Sequence, residues 1–280
     1  MIPSPKIFGL IGYPVTHSLS PLMHNAAFKA LNLDARYGLF ELKPQELENF
    51  LKSLSKKNIY GLNVTIPYKE QVIPFLDRIS AQAGLIGAVN TIRALQDKLE
   101  GFNTDGEGFL KHLTEDLGFS PEGKTVSVIG AGGAAKAVTV YLAKAGVKRV
   151  TIYDTQEEKL KNLLAHLKAS FKGTEFNQAH SIEGLKINNS DLLVNATPIG
   201  MKEADPLIVS EGQMHRGLLV YDLIYNPKET KLLKLAREKG AMVSSGLGML
   251  LYQGMLSFEI WTGKIAPKEI MRKALEDKLC

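Results

Sequence analysis

Cysteine is nearly absent from this sequence of 280 residues, since the only one is Cys280. An internal disulfide framework and a cysteine-ligated zinc site are therefore excluded, and the composition fits a reducing compartment. Long apolar runs are missing as well, because no stretch is long and apolar enough to span a bilayer. The start, MIPSPKIFGLIG, does not read as a signal peptide. We expect a cytoplasmic globular protein.

Other patterns that carry chemistry are also missing. The sequence has no G-x-S-x-G elbow of an acyl hydrolase. Its six histidines, His17 and His24 among them, do not stand at metal-ligand spacing, so we expect no metal site. The formal net charge of +5 is spread along the chain, which argues against nucleic-acid binding but favours a small anionic ligand.

Among the residues that are present, one stretch stands out: TVSVIGAGGAA, residues 125–135. Its pattern predicts a strand, a glycine turn and the start of a helix. Gly130 permits the sharp turn, Gly132 lets backbone N–H groups reach a pyrophosphate, and Ala135 lets the helix pack closely on the strand. An acidic residue, Asp154, follows the next predicted strand. The stretch predicts a dinucleotide site, and the alternative is an ordinary tight turn in a parallel sheet.

Strand-like and helix-like segments alternate along the chain, which predicts parallel sheets covered by helices on both faces. One such unit precedes the glycine turn and another contains it. We therefore predict an α/β protein with an N-terminal α/β substrate domain, a Rossmann-type doubly wound nucleotide domain and a cleft between them. The first domain is predicted at 1–106 plus 247–280 and the second at 107–246. A strongly apolar helix over 247–261 is expected to return to the first domain, because it cannot be solvated alone.

Three local patterns lie near the polar loops of the first half. Pro21 suits the first turn of a helix, and Ser20 before it predicts the helix N-cap. The segment 71–79 is predicted to be helical. The segment 87–92, which reads GAVNTI, is predicted to be a strand.

Small polar side chains follow the predicted strands of the first half. Ligands bind at the carboxyl ends of strands in open parallel sheets, so the group predicts a pocket for a ligand with many oxygens. Each residue alone can instead close a turn or cap a helix. The group consists of Ser18, Ser20, Asn63, Thr65, Asn90, Thr91, Thr104 and Asp105.

Lys69 and Asp105 are the candidates for proton chemistry. An oriented ammonium donates a proton to an alkoxide that forms from a ketone. A carboxylate beside it holds the side chain in place and favours its charged form, which suits a general acid. The alternative is a surface lysine and an unrelated helix-capping aspartate, which spacing alone does not distinguish from the pair.

Eight motifs follow one another along the chain: GYPVTHSLSPLMHNAAF, NVTIPYKE, GAVNT, FNTDGEGF, VIGAGGAAKAV, NATPIGM, YDLIYNP and GLGMLLYQG. Together they resemble the shikimate dehydrogenase family, with the quinate/shikimate dehydrogenases as close relatives. The resemblance runs nearly end to end. It implies an oxidoreductase of chorismate and aromatic amino acid biosynthesis that reversibly reduces 3-dehydroshikimate to shikimate. Hydride would come from a nicotinamide cofactor, which is NADP in most of the family.

The resemblance also implies roles for individual residues. Lys69 would be the catalytic acid/base, with Asp105 as its partner. Gln253 has independent support, because an amide on an otherwise apolar helix needs a partner, although that partner can also be a neighbouring helix. The implied substrate-binding residues are Ser18, Ser20, Thr65, Asn90, Tyr225 and Gln253. The implied cofactor-binding residues are Gly130, Ala131, Gly132, Gly133, Ala134, Asp154, Thr155, Thr197, Leu223 and Gly246.

One departure from the family pattern concerns the cofactor. NADP-linked members usually carry Asn-Arg-Thr after the second strand of the nucleotide domain, where the arginine accepts the ribose 2′-phosphate. Here the chain reads Tyr153-Asp154-Thr155. An aspartate at this point hydrogen-bonds a free 2′-hydroxyl and repels a phosphate. We therefore predict that NAD is used at least as well as NADP, unless Lys159 or Lys161 compensates for the missing arginine.

Three functions remain open from the sequence: a shikimate dehydrogenase, an enzyme that also uses quinate, and a non-catalytic dinucleotide-binding sensor. The presence of both Lys69 and Asp105 favours an enzyme over a sensor. The predicted partner is a small-molecule substrate, with no nucleic acid and no membrane. A monomer and a homodimer are both compatible with the sequence.

Overall fold

The computed structural model describes residues 4–96 and 98–279 of the chain. Strands and α-helices alternate along it. The strands are β1 (Lys6–Gly12), β2 (Ala35–Glu41), β3 (Ile59–Val64), β4 (Arg78–Ile79), β5 (Thr91–Leu95), β6 (Lys98–Phe102), β7 (Thr125–Ile129), β8 (Arg149–Tyr153), β9 (Glu175–Gln178), β10 (Leu192–Asn195), β11 (Leu219–Asp222) and β12 (Met242–Ser245). The helices are α1 (Ser20–Ala30), α2 (Leu47–Lys52), α3 (Ala81–Ile86), α4 (Asp105–Lys111), α5 (Gly133–Lys144), α6 (Glu157–Ser170), α7 (Lys231–Glu238), α8 (Leu247–Thr262) and α9 (Lys268–Leu279).

The chain divides into two compact units, each built around its own sheet. The first unit ends at Gly108 and resumes at Leu251, so it contains both the N-terminal elements and the C-terminal helices. The second unit is Phe109–Leu250. Within the described residues, no helix combines the length and the apolar character needed to cross a bilayer.

The sheet of the first unit has the strand order β2-β1-β3-β5-β6-β4. Strands β2, β1 and β3 run parallel, whereas β5 is antiparallel to both of its neighbours, β3 and β6. The prediction of parallel strands is therefore wrong for β5, whereas the other strand pairs of this sheet are parallel. The reason is the two-residue connection between β5 and β6, which is far shorter than the crossover of about a dozen residues that a parallel pair needs.

Both faces of the central strands are covered. Strand β1 is buried from Phe8 to Gly12, as expected for a strand inside an α/β sheet. Helix α8 packs on this sheet, because the indole N–H of Trp261 donates to the carbonyl of Ile92 over 2.9 Å. A Cβ at Gly61 would lie 2.4 Å from the Trp261 indole nitrogen, so the small residue allows this close approach. From Leu251 onward, the apolar helix α8 thus belongs to the first unit.

Two local predictions in this unit are wrong. The segment 71–79 is not a helix, since it contains one short 3₁₀ turn, Ile73–Phe75, followed by β4. Pro74 lacks a backbone N–H and restricts the residue before it, which prevents a longer helix. The segment 87–92 is not a strand throughout, because Gly87 ends α3 in the left-handed region at φ +72° and β5 begins only at Thr91.

The sheet of the second unit is parallel throughout, with the order β12-β11-β10-β7-β8-β9. Counted from β7, this is the strand order of a doubly wound Rossmann sheet. The order changes direction between β7 and β10, and ligands of such sheets bind at the carboxyl ends of the strands at that point. The ends of these two strands, Ile129 and Asn195, therefore mark the edge where a dinucleotide is expected.

Candidate functional site

A lysine and a carboxylate meet in the first unit. The Nζ atom of Lys69, in the loop after β3, lies 2.5 Å from Oδ2 of Asp105, the first residue of α4. Their side chains are only 16% and 6% exposed, so the attraction between the charges is screened less than at the surface. The structure thus brings together the two residues that the sequence suggested for proton chemistry.

Asn90 orients the carboxylate of this pair. Its Oδ1 accepts a hydrogen bond from the backbone N–H of Thr104 over 2.8 Å. That contact turns the amide nitrogen towards Oδ1 of Asp105, to which it donates over 2.8 Å. The same amide lies 3.4 Å from Oε1 of Gln253 on α8. One oxygen of Asp105 therefore accepts a hydrogen bond from the Asn90 amide and the other accepts one from the Lys69 ammonium. Together the two bonds fix the carboxylate in one orientation.

Buried hydroxyl and amide groups extend this cluster into the core of the first unit. The hydroxyl of Ser257 on α8 lies 3.0 Å from Nδ2 of Asn63 and 2.8 Å from the hydroxyl of Thr91. It also lies 3.2 Å from the hydroxyl of Thr104. Asn63 in turn accepts a hydrogen bond from the hydroxyl of Tyr37 over 2.7 Å. Such a network is rigid only because its buried groups have partners.

Ser257 was missed from the sequence, although a signal was available. It lies four residues after Gln253, so the two side chains share one face of an otherwise apolar helix. Two polar residues on one buried face indicate a polar cluster behind that face. The partner residues cannot be read from this spacing, because they come from β3, β5 and the loop after β6.

The loops at the carboxyl ends of β1 and β3 are joined by backbone contacts. The N–H of Thr65 donates to the carbonyl of Ile11 over 2.9 Å, and the N–H of Tyr13 donates to the carbonyl of Ile66 over 3.0 Å. Thr65 is half-buried at this end of the sheet. The predicted substrate residue Thr65 therefore stands at the same sheet edge as the start of the serine-containing loop.

The two serines of that loop lie together at the start of α1. Their Oγ atoms are 3.2 Å apart, and Oγ of Ser18 also accepts a hydrogen bond from the backbone N–H of Ser20. Helix α1 begins at Ser20 itself, with Leu19 in the cap position, so the predicted N-cap at Ser20 is wrong. Ser20 instead presents its hydroxyl in the first turn, where the helix dipole favours an anion such as a carboxylate.

A fully buried histidine lies beside this network. The ring of His24 stacks on Tyr37 with centroids 4.4 Å apart. In the part of the chain that the structure describes, neither ring nitrogen has a hydrogen-bond partner. Burial lowers the pKa of His24 to about 3, because a charged ring would lose its solvation without gaining an anionic partner.

The glycine turn of the second unit follows β7. Gly130 has φ +111°, and a Cβ there would lie 3.1 Å from the carbonyl group of Ala196, so the position requires glycine. Gly132 is exposed, and a Cβ there would meet no atom within 4 Å. Helix α5 begins at Gly133 without a side-chain cap, so the N–H groups of its first turn suit the pyrophosphate of a dinucleotide.

Asp154 closes this turn from the end of β8. Its Oδ2 accepts a hydrogen bond from the backbone N–H of Ala131, and its Oδ1 accepts one from the N–H of Gln156, both over 2.7 Å. The side chain is half-buried, and Thr155 beside it is exposed. An ionised carboxylate has lone pairs beyond these two bonds, so Asp154 can also accept from a ribose hydroxyl. The residues present therefore fit a dinucleotide.

The remaining predicted cofactor residues lie in the loops after β10, β11 and β12. Oδ1 of Asn195 accepts from both the N–H and the hydroxyl of Thr197, and the carbonyl of Asn195 accepts from the N–H of Leu223. A Cβ at Gly246 would lie 2.0 Å from the carbonyl oxygen of Leu223, so the chain passes directly against it. Tyr225 also belongs to this unit, unlike the other residues predicted to bind substrate.

A doubly wound sheet with a glycine turn, together with a lysine–carboxylate pair, defines the class of dinucleotide-dependent oxidoreductases. The sequence patterns of three domains match the chain: the shikimate dehydrogenase substrate binding domain at residues 10–92, shikimate/quinate 5-dehydrogenase at 113–222, and the shikimate 5'-dehydrogenase C-terminal domain at 246–276. The chain belongs to the shikimate dehydrogenase family. The resemblance seen in its motifs is thereby confirmed, and so is the predicted α/β fold with a substrate domain and a Rossmann-type nucleotide domain.

Individual relatives agree with this assignment. The shikimate dehydrogenase (NADP⁺) of Methanopyrus kandleri is 47% identical over 280 residues, which cover 98% of this chain and 96% of the relative. A shikimate dehydrogenase crystallised with NADP⁺ is 40% identical, with a TM-score of 0.91 and coverage of 99% of this chain and 96% of that one. The shikimate 5-dehydrogenase of Listeria monocytogenes, crystallised with shikimate and NAD, is 35% identical, with a TM-score of 0.87 and coverage of 97% and 96%.

Proposed function

We propose that this protein is a shikimate dehydrogenase, which reduces 3-dehydroshikimate to shikimate and catalyses the reverse oxidation. The observation that carries the proposal is the contact of 2.5 Å between Lys69 and Asp105, buried in the first unit of a chain from this family. When bound, the nicotinamide cofactor supplies or accepts the hydride. The protein must then supply or accept one proton at the substrate oxygen.

Lys69 is the proposed general acid of the reduction. As hydride reaches the carbonyl carbon, the Lys69 ammonium transfers a proton to the oxygen, so the ketone becomes an alcohol and the lysine becomes neutral. In the oxidation the neutral amine takes the hydroxyl proton. Asp105 holds Nζ in position, and Asn90 holds Asp105.

The proposed substrate contacts of the first unit divide by chemistry. Ser18 and Ser20 offer hydroxyl groups at the N-terminus of α1, which suits the substrate carboxylate. Thr65, Asn90 and Gln253 offer hydroxyl and amide groups, which suit the ring hydroxyls. We assign Tyr225 to the substrate as well, on the strength of the family motif in which it stands.

We propose that NAD is used at least as well as NADP. The support is Asp154, whose carboxylate is held at the end of β8 by the N–H groups of Ala131 and Gln156. A carboxylate fixed there repels a 2′-phosphate and accepts from a free 2′-hydroxyl. The neighbouring Thr155 offers no positive charge for a phosphate.

Steady-state rates with both cofactors test this preference. We expect kcat/KM with NAD to equal or exceed that with NADP. The double variant D154N/T155R should shift the ratio towards NADP by about tenfold or more, since it removes a negative charge and adds a positive one. The control E158Q, which removes one exposed negative charge nearby, should leave the ratio unchanged. A wild-type kcat/KM for NADP tenfold above that for NAD would contradict the proposal.

A grid of two substrates and two cofactors tests the function itself. Shikimate and quinate are each offered with NAD⁺ and NADP⁺, and formation of the reduced cofactor is followed by absorbance. We expect turnover of shikimate. Quinate carries an additional hydroxyl and lacks the ring double bond, so its rate reports how closely the polar cluster fits the ring. Binding of cofactor without turnover of either substrate would favour a non-catalytic sensor.

A further inference from the structure

A buried acid in the second unit has no role in the proton chemistry proposed above. Asp222, the last residue of β11, is 0% exposed. Its Oδ1 accepts hydrogen bonds from Nδ2 of Asn195 over 3.0 Å and from the N–H of Ile224 over 3.1 Å. Its Oδ2 accepts from the hydroxyl of Thr230 over 2.7 Å. These three partners are neutral donors, which suits a carboxylate that only accepts.

The partners of Asp222 belong to two different loops. Ile224 and Thr230 stand at the two ends of the loop after β11, so Asp222 ties that loop to its own strand end. Asn195 ends β10, and its amide also donates to the carbonyl of Ile199 over 3.2 Å. Asp222 is therefore the shared acceptor at the point where the loops after β10 and β11 meet.

The two loops also touch directly. Gly200 has φ +113°, and a Cβ there would lie 3.3 Å from the side chain of Ile224. The N–H of Gly246, after β12, donates to the carbonyl of Ile224 over 3.0 Å. Three strand ends of the Rossmann sheet are therefore held together around Asp222.

Each proposed cofactor residue in these loops is bonded, covalently or by a hydrogen bond, either to Asp222 itself or to a residue that contacts Asp222. Thr197 is bonded to the side-chain oxygen of Asn195, and Leu223 directly follows Asp222 in the chain. Gly246 passes against the carbonyl of Leu223. Loss of the central acceptor would release all three, because a buried N–H or amide without a partner favours rearrangement towards water.

We propose that Asp222 is a positioning residue for the cofactor: with Asn195 and Thr230, it sets the loops after β10, β11 and β12, which carry the proposed cofactor residues Thr197, Leu223 and Gly246. The inference rests on the proposed function, since it requires that a dinucleotide binds at this sheet edge. Asp222 does not touch the reacting atoms in this account. It acts through Thr197, Leu223 and Gly246.

The nature of the partners predicts which substitutions preserve the arrangement. In D222N the amide oxygen still accepts from Asn195 and Ile224, while the new amide N–H group donates to the hydroxyl of Thr230, which turns to accept. D222A leaves all three donors without an acceptor. T230V keeps the shape of the side chain but removes one donor to Asp222 and the oxygen that accepts from the N–H of Leu233 at the start of α7. Its effect should be smaller than that of D222A, because the other two bonds to Asp222 remain.

The test is calorimetric binding of NAD⁺ and NADP⁺ to the full-length wild type and variants. We expect Kd to rise about 10–100-fold in D222A and about 3–10-fold in T230V, while D222N stays within about threefold of wild type. The control is S127A, which removes a buried hydroxyl bonded to Leu185 and Ser190 in the same sheet. S127A should lower thermal stability without changing Kd.

Each outcome decides the inference. Kd within twofold of wild type in both D222A and T230V would overturn it. So would an equal loss of affinity in S127A, because the effect would then be general destabilisation. If D222A does not fold, T230V alone decides by the same limits. A wild type that binds neither cofactor would instead overturn the proposed function, so the two failures are distinguishable.

Discussion

The two units prepare their polar groups in different ways. In the first unit the candidate site consists of side chains, with Asp105 held by Lys69 and Asn90 in a network that is largely buried. In the second unit the candidate site at the glycine turn consists mainly of backbone N–H groups, and Asp154 fixes the turn through one of them. The first unit thus depends on the identity of its side chains, and the second depends on the path of its backbone.

This difference matters for what a substitution does. Removing a side chain from the first unit removes a chemical group and leaves the backbone in place. Adding a side chain to the glycine turn leaves every chemical group present but moves the backbone. Removing a polar side chain from the first unit should therefore lower kcat first, whereas adding a side chain to the glycine turn of the second unit should first weaken cofactor binding.

The largest expected effect is that of Lys69→Ala. Loss of a general acid typically costs about 10²–10⁴-fold in kcat, and we expect a loss in that range with a much smaller change in KM. Calorimetric Kd for the cofactor should stay at the wild-type value, which would confirm that the first unit acts on chemistry. The control is Lys52→Ala, whose ammonium is exposed beside Glu48. Near-normal turnover in Lys69→Ala would refute the role of the lysine.

The next effect concerns acid stability in the first unit. The pKa of His24 is lowered to about 3 in the folded chain, so between pH 6.5 and 3 the unfolded chain binds the additional proton. Stability is therefore lost as pH falls, by about 3 kcal/mol at pH 4. His24→Phe should remove this loss, because phenylalanine keeps an aromatic ring against Tyr37 and does not titrate. Denaturant unfolding at pH 7 and pH 4 measures the difference.

The matched control is His180→Gln, because that histidine is exposed in the second unit. Its unfolding free energy should follow the wild type at both values of pH. An identical loss of stability in His24→Phe and wild type on acidification would show that the buried ring does not control the acid response.

In the second unit, Asp222 should change folding stability with pH in the direction opposite to that of His24. Burial raises the pKa of this carboxyl to about 6, above its ordinary value of 3.8. The folded chain then binds the proton more tightly, so this contribution to stability is present at low pH and is lost as pH rises through 6, by at most about 3 kcal/mol. D222N should therefore gain stability relative to wild type between pH 4 and pH 7. A constant difference across that range would contradict the raised pKa.

The smallest expected effect on stability is that of Gly130→Ala at the glycine turn. The positive φ and the nearby Ala196 carbonyl should cost about 1–3 kcal/mol of stability and weaken cofactor binding. Gly118→Ala is the control, because Gly118 has φ +63° but no atom within 4 Å of a Cβ. It should lose about 1 kcal/mol with Kd unchanged. Equal Kd values in Gly130→Ala and Gly118→Ala would show that the turn does not hold the cofactor.

Much of this protein follows from the sequence alone. The Rossmann unit was predictable because its signals are local: the strand, Gly130 and the start of α5 occupy neighbouring positions, and φ +111° at Gly130 is a property of one residue. The family could also be identified, since its motifs are contiguous stretches. The short connection between β5 and β6 was a sequence signal for their antiparallel pairing. The α/β alternation in the rest of the chain suggested parallel strands instead.

Only the tertiary structure decided which polar residues meet. Lys69 and Asp105 are 36 positions apart, and Ser257 is 166 positions from its partner Thr91, so no local pattern joins them. The partners of Asp222 are likewise visible only in the structure, because the loop after β11 brings the hydroxyl of Thr230 back to its carboxylate. Local backbone preferences determine turns and helices, whereas the contacts that orient and desolvate a charged group arise only when distant segments pack.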